Sequence, residues 1–400
     1  MRQQCPIPLG LLVLLLVGSG AFAQSPRLPI NWKGLPEPYH TESASNRPRV
    51  VVRPAGAQLR LPDGFQVKEF ASGFTRPRFM LVGPVGEILL SDSGERGSPT
   101  GAVHALKEGN CKTILQNLDR PYGMALYQDH LYVGEPTSIK RYKYKDMEIS
   151  GKGEEIFSLE GLGKGHWTRS LLFDRQQERL YFTVGSGSNM DKGEPPLRAT
   201  INQIDPDGGG HEIFARGLRN TIGLRWRPGS DELWGAVQER DGLGDDLVPD
   251  YLVQVQQGGF YGWPDAYIGP HKEPRHEETN QEMVDKTLYP DVILGAHVAV
   301  LDILFYDATQ FPERYRGGLF LAFHGSWNRT HRVGYRIAFI PFESGRPTSG
   351  PTDFLTGWMM GAEKPEVWGR PVGLLQMPDG SLMISEDGGG KLWHVSYASL

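Results

Sequence analysis

The 400-residue chain predicts an all-β fold, a six-bladed β-propeller of four-stranded antiparallel sheets. Three observations predict it. Short β-type runs bounded by turn signals recur along the chain, and amphipathic helical stretches are nearly absent. One pattern, a polar residue, an apolar run and then a second apolar run, appears six times. The 51 glycines and 30 prolines are those of a chain that turns often.

Taken in order, the chain opens with Met1-Arg2, an apolar run over 9–17 and Ala21-Phe22-Ala23. A positive start, a short hydrophobic stretch and a small-x-small site predict an export leader over residues 1–23. The run is too short to cross a bilayer, which takes roughly 20 residues, and no later stretch is apolar enough to do so. Residues 24–58 are Pro-rich and read as an extended arm, and 59–400 as the propeller domain. Loss of Arg2 with the leader deepens the formal net charge of -5 by one. An acidic chain without a Lys/Arg block excludes nucleic acid and anionic membrane surfaces as partners. Cys111 is the only cysteine beyond the leader, so no internal disulfide forms. It reads as a small residue packed at a strand end, since no His-rich motif beside it supports a nucleophile.

The repeats follow. Arg76-Pro77-Arg78-Phe79-Met80 aligns with Arg120-Pro121-Tyr122-Gly123-Met124, Thr168-Arg169-Ser170-Leu171-Leu172 and Arg219-Asn220-Thr221-Ile222-Gly223-Leu224. Val300-Leu301-Asp302-Ile303-Leu304 and Arg370-Pro371-Val372-Gly373-Leu374 complete the set. The first four begin ~45–50 residues apart, the spacing of propeller blades. Longer gaps afterwards predict inserted loops around 264–294 and 323–333. The run over 65–70 is expected to close the ring by joining the last blade.

A propeller aims equivalent repeat positions at one axial site. Arg76, Arg120, Arg169, Arg219 and Arg370 stand at the mouth of their repeats, and guanidinium forks suit carboxylates. Five such positions predict a site for an anionic ligand; the alternative is that they brace loops. His166, in Gly163-Lys164-Gly165-His166-Trp167, can titrate near neutral pH at a repeat mouth, or bond to backbone. Glu239-Arg240-Asp241-Gly242 offers carboxylate and carbonyl oxygens to a hard cation, or forms a charged surface turn. His324-Gly325-Ser326-Trp327-Asn328-Arg329 gathers groups that stack on a flat ring and bond its edge, or builds a turn around a structural Trp.

Six pieces occur in a fixed order: Gly217-Leu218-Arg219-Asn220, Gly259-Phe260-Tyr261-Gly262-Trp263-Pro264, His324 to Arg329, Trp368-Gly369-Arg370-Pro371-Val372-Gly373, Pro378-Asp379-Gly380-Ser381-Leu382 and Glu386-Asp387-Gly388-Gly389. Over roughly residues 60–397 the chain resembles the glucose/sorbosone dehydrogenase family, in particular its L-sorbosone dehydrogenase-like branch. The resemblance implies a quinoprotein that binds pyrroloquinoline quinone, a tricarboxylate, over Ca²⁺. It implies oxidation of an aldose C1 hydroxyl or aldehyde hydrate to a lactone or acid by hydride transfer. By it, His166 is the base, Arg219 offsets charge on the quinone, and Arg219, Asn220 and Arg370 contact the cofactor. Arg120, Arg169, His297, His324, Trp327, Asn328 and Arg329 are further candidate contacts. The backbone carbonyls of Arg240 and Asp241 fall where the family supplies calcium ligands. There the family's glucose dehydrogenases carry Gly-Pro, and a lysine they use near Arg329 is replaced.

With no Cys-x-x-Cys-His haem motif, the electron acceptor is expected to be external, a quinone or cytochrome. The leader implies a periplasmic or secreted protein. Two other readings stay open: a calcium-dependent propeller lactonase or hydrolase, and a non-catalytic binding propeller. The first needs acidic and Asn ligands along the axis, whereas the repeat mouths are mainly Arg.

Overall fold

A computed structural model describes residues 34–398; the leader and the first residues of the arm lie outside them. Six four-stranded antiparallel sheets form a β-propeller. Blade one comprises Pro77–Val82, Ile88–Asp92, Gly101–Lys107 and Asn110–Leu118, and blade two Met124–Tyr127, His130–Glu135, Ser138–Lys145 and Glu148–Ser158. Blade three comprises Leu171–Phe173, Leu180–Val184, Thr200–Ile204 and Glu212–Arg216. Blade four comprises Thr221–Trp226, Leu233–Val237, Pro249–Gln254 and Val292–Ala296. Blade five comprises Val300–Phe305, Leu319–Phe323, Arg336–Ile340 and Thr352–Leu355. Blade six takes Pro371–Gln376, Leu382–Glu386 and Lys391–Tyr397, and its outer strand is Phe65–Ser72 from the start of the domain. The first strand of each blade touches the first strand of the next, and the sixth touches the first, so the ring closes on itself.

Side-chain alternation along a strand explains why these runs are apolar at every position. Each sheet lies between two neighbours. Leu89 packs toward blade two and Leu90 toward blade six. Leu131 and Val133 face blade one, whereas Tyr132 between them faces blade three. Six apolar clusters thus fill the six interfaces. A seventh, of Tyr122, Ile222, Leu301 and Val372 with Trp167 against it, plugs the axis.

The long insertion expected over 264–294 lies inside blade four, between its third and fourth strands. It carries a small hairpin, Ala266–Tyr267 with His271–Lys272, and the short helix Gln281–Asp285. Cys111 is exposed near the start of its strand rather than packed, because the outermost strand of blade one turns that side to solvent. Among the described residues no helix is long and apolar enough to cross a membrane.

Residues 34–58 lie across one end of the ring. The Asn46 backbone N–H donates to Trp327 O at 2.7 Å, and its Nδ2 donates to Arg329 O and Thr330 O. Buried Arg332 donates to Asn46 O and Oδ1 at 2.9 and 2.6 Å. Arg49–Val50 then pairs in parallel with Glu366–Val367.

Candidate active site

The end of the axis where the innermost strands begin holds a cavity of about 1080 Å³. Its base meets the axial plug, with Tyr122, Trp167, Ile222 and Leu301 on the wall. Two kinds of position supply much of the polar lining. Arg76, Thr168, Arg219, Asn220 and Arg370 precede or open innermost strands, and Ser93, Gln238, His324 and Asp387 follow second strands. Antiparallel neighbours bring those two ends together.

His166 sits on this wall with its ring held by Ser186. Its Nδ1 lies 2.9 Å from Ser186 O and 3.1 Å from Ser186 Oγ. Ser186 Oγ in turn donates to Ser188 O at 2.6 Å. A carbonyl accepts only, so Nδ1 carries the proton and Nε2 keeps its lone pair. Burial, then the Arg219 guanidinium, press the imidazole pKa down to about 3, so it stays neutral across the physiological range. Gly185 makes the approach possible, since a Cβ there would lie 2.3 Å from Asn220 Oδ1 and 2.7 Å from His166 Cβ.

Arg219 is fixed by four groups. Nε donates to Asn189 O at 3.2 Å, and Nη1 to Glu239 O at 2.7 Å. Nη2 reaches Asn189 Oδ1 at 3.0 Å and pairs with Asp241 Oδ2 at 3.3 Å. Asn189 also takes the Asp241 N–H at 2.9 Å and donates to Asp241 O at 2.8 Å. It is an organising residue that the sequence reading missed, because it lies in an irregular loop outside the repeat pattern. The carboxylate of Asp241 meets Asn328 Nδ2 at 2.5 Å, and His297 Nδ1 lies 3.7 Å from it. Although burial opposes ionisation, His297 and Arg219 hold Asp241 below the usual carboxylate range. His297, despite its own burial, is raised by Asp241.

Across the cavity, Asp387 binds Arg78 Nη1 at 2.7 Å and His324 Nε2 at 2.8 Å. Burial, then Arg370, lower His324 to about 4. The neighbouring cations keep Asp387 ionised against its own burial. Trp167 lies between two guanidiniums, Arg78 at 5.4 Å and Arg120 at 5.6 Å from its ring centroid. Arg370 reaches the carbonyls of His324 and Gly325 at 3.3 and 3.2 Å and remains on the wall. Arg78, Trp167 and Asp387 were not named as site residues from sequence, although all three lie in or beside the repeat motifs.

The cavity therefore gathers His166, Arg219, Asn220, Arg370, Arg120, His297, His324, Trp327, Asn328 and Asp241. Two expected residues turn elsewhere. The Arg169 guanidinium is buried and donates to the carbonyls of His166, Thr168 and Pro136, so it braces the His166 loop. Arg329 donates to Asp245 O at 2.9 Å and pairs with Asp246 at 2.5 Å, facing away from the cavity lining. For Arg240 and Asp241 the expectation concerned backbone carbonyls; the Arg240 side chain is buried against Glu273 at 3.0 Å, and Asp241 O accepts from Asn189 Nδ2 at 2.8 Å. At this turn it is the Asp241 carboxylate that lies among the cavity groups.

The blade-four wall is rich in oxygen. Glu239, Asp241, Asp250, Asn220 and Gln238 all line it. Glu239 Oε1 and Asn220 Oδ1 are buried with no hydrogen-bond donor. Burial raises Glu239 to about 7, against the pull of Arg219 and Arg240, and Asp250 to about 6. Among the described residues no three His, Cys, Asp or Glu side chains cluster as a metal site by themselves. A hard cation here would draw on amide and backbone oxygens as well.

Comparison with known proteins places this geometry. The family model described as TrAA12-like matches residues 59–254 and 261–398. A Borreliella burgdorferi protein is 29% identical over 357 residues, covering 86% of this chain and 92% of its own length. A pyrroloquinoline quinone-dependent pyranose dehydrogenase of Coprinopsis cinerea is 24% identical, covering 86% of this chain, which spans only 55% of that relative. A pyrroloquinoline quinone-dependent sugar dehydrogenase of Hypocrea jecorina is 23% identical, covering 83% and 87%. The calcium structure of a Trichoderma reesei family AA12 carbohydrate-active enzyme superposes with a TM-score of 0.73 at 20% identity, covering 88% and 99%. The relatives named here do not distinguish the sorbosone branch. The match of the family model to nearly all of the propeller shows that the chain belongs to the TrAA12-like family.

Proposed function

We propose that the protein oxidises an aldose-type sugar at C1 to a lactone or acid, with pyrroloquinoline quinone and calcium, and passes the electrons to an external acceptor. The names of two relatives support the quinone and the sugar. The observation that carries the reading is His166, whose Nε2 is left unprotonated beside the fixed Arg219–Asn220 pair on the wall of a cationic cavity. The arginine-rich lining fits a tricarboxylate, with Arg219, Asn220, Arg370 and Arg120 as its holders. The orphaned oxygens of Glu239 and Asn220 fit a hard cation on the same wall. When bound, the quinone supplies a two-electron acceptor and calcium a Lewis acid beside it.

The chain's own residues do the rest. Nε2 of His166 takes the proton of the C1 hydroxyl, or of an aldehyde hydrate, while Ser186 holds the ring and its tautomer. Arg219, which Asn189 and Asp241 keep from swinging away, offsets negative charge that develops in the cavity. The axial plug closes the tunnel beneath and keeps water from reaching the site from below. Export from the cytoplasm, inferred from the leader, is part of the same proposal.

His166→Ala should fold and bind quinone yet lose at least ~10²-fold in kcat, the usual scale for a general base. Unchanged turnover would remove His166 from the mechanism. Lactone hydrolysis by calcium-loaded, quinone-free protein would replace the whole reading.

A further inference from the structure

Seven arginines line the cavity against four acidic side chains, Glu239, Asp241, Asp250 and Asp387. A tricarboxylate with one divalent cation brings a single net negative charge. With these four acids ionised and Asp119 pairing Arg120, about one positive charge remains unmatched.

The unmatched cations can be located. Arg78, Arg120 and Arg219 pair with Asp387, Asp119 and Asp241, and Arg370 donates to two carbonyls. Arg47, Arg76 and Arg96 differ. Among the described residues no carboxylate pairs with them and no oxygen accepts from their guanidiniums. Two of the three, Arg47 and Arg96, are exposed at the mouth. The backbone carrying each is held in place. Arg47 follows Asn46, which the Arg332 side chain clamps, precedes the strand at Arg49, and lies 5.7 Å above the Trp327 ring. Arg96 belongs to a tight turn tied down by Gly94 N–H to Asp92 Oδ1 at 2.9 Å and Glu95 N–H to Thr100 Oγ1 at 2.8 Å. Arg76 is half-buried on the same wall; burial, then repulsion from nearby Arg96 and Arg78, lower its pKa.

We propose that Arg47, Arg76 and Arg96 form a rim subsite for an anionic group, so that the substrate is an aldose carrying a carboxylate or a phosphate remote from its C1. This rests on the sugar-oxidising reading and names its substrate class. With C1 at His166, the rest of the sugar points outward past Trp327, whose exposed ring offers a face to it. The rim guanidiniums then meet the charged end.

The test uses full-chain protein loaded with quinone and calcium. Steady-state rates are compared for glucose, glucuronate and glucose 6-phosphate, in wild type and in the double variant Arg47→Gln/Arg96→Gln. In parallel, the methyl glycoside of glucuronic acid, blocked at C1, is titrated in by calorimetry. The expected result is a kcat/KM at least tenfold higher for one anionic sugar than for glucose, and whichever anion leads identifies the group. In the double variant that advantage falls at least tenfold through KM, with kcat and the glucose rate unchanged, and the blocked glycoside binds more weakly. Equal rates for all three sugars, or an advantage untouched by the double variant, would overturn the subsite and leave the oxidation reading standing. Binding of the blocked glycoside that the double variant abolishes, without turnover of any sugar, would keep the subsite and overturn the oxidation reading. Neither binding nor turnover would overturn both.

Discussion

At the scale of single residues, the site depends on close backbone approach as much as on the groups that react. Gly165 has φ +131°, and a Cβ there would lie 2.4 Å from Gly187 Cα and 2.6 Å from Gly187 O. Both obstacles are backbone, so Gly165→Ala must displace the loop that carries His166. Misplacement by about 1 Å can cost ~10²-fold in rate. The expected outcome is a fall in kcat of that order with the circular dichroism spectrum retained, and quinone binding measured on the same sample separates misplacement from loss of cofactor. His166 was legible in the sequence because it falls in a glycine-flanked motif at a repeat mouth. Arg169, three residues on, misled for a physical reason. Its repeat position matches Arg120 and Arg219, but its guanidinium is drawn under the loop by three carbonyls. A repeat alignment fixes where Cα stands and leaves the direction of a long side chain open.

At the scale of elements, the recurrence of short apolar runs and of turn signals made the six blades readable, including closure by the strand that starts at Phe65. The ring of Phe65 meets Phe311, Tyr315, Phe354 and Tyr397 with centroids 4.8, 5.3, 5.0 and 4.9 Å away. It ties the closing strand to blade five as well as to its own sheet. Phe65→Ala should cost about 3 kcal/mol, read as a lower midpoint in denaturant with the slope unchanged. A much smaller loss would mean that backbone pairing alone secures the closure. Asn189 and Arg96 escaped sequence analysis because each lies in a loop between strands, where no periodicity marks which side chain turns inward.

At the scale of the whole molecule, an acidic chain surrounds a cationic cavity, and buried ionisable groups set how stability responds to pH. Burial raises Glu386 to about 8 from an ordinary value of 4.5. The folded form therefore holds a proton that the unfolded chain has released. The stability this group contributes is full below pH 4.5 and is lost as pH rises through 8. His324 runs the other way, lowered to about 4 from 6.5, so its contribution is present above 6.5 and is lost as pH falls through 4. Glu239, raised to about 7, adds to the alkaline loss. Quinone- and calcium-free protein should melt highest between about pH 4.5 and 6.5 and lower on both sides. Calorimetry from pH 4 to 9 checks this: Glu386→Gln should flatten the alkaline limb and His324→Gln the acid limb. A single monotonic slope would contradict the opposed pair.

The sixth sheet is assembled from both ends of the propeller, its outer strand from 65–72 and its other three from 371–397. A growing polypeptide therefore carries an unmatched strand edge from the synthesis of 65–72 until 371–397 has left the ribosome. Five sheets can form meanwhile, but the circle stays open and the cavity lacks Arg370 and Asp387. Completion of this sixth sheet, the last to form, is the event that closes the circle and the cavity with it.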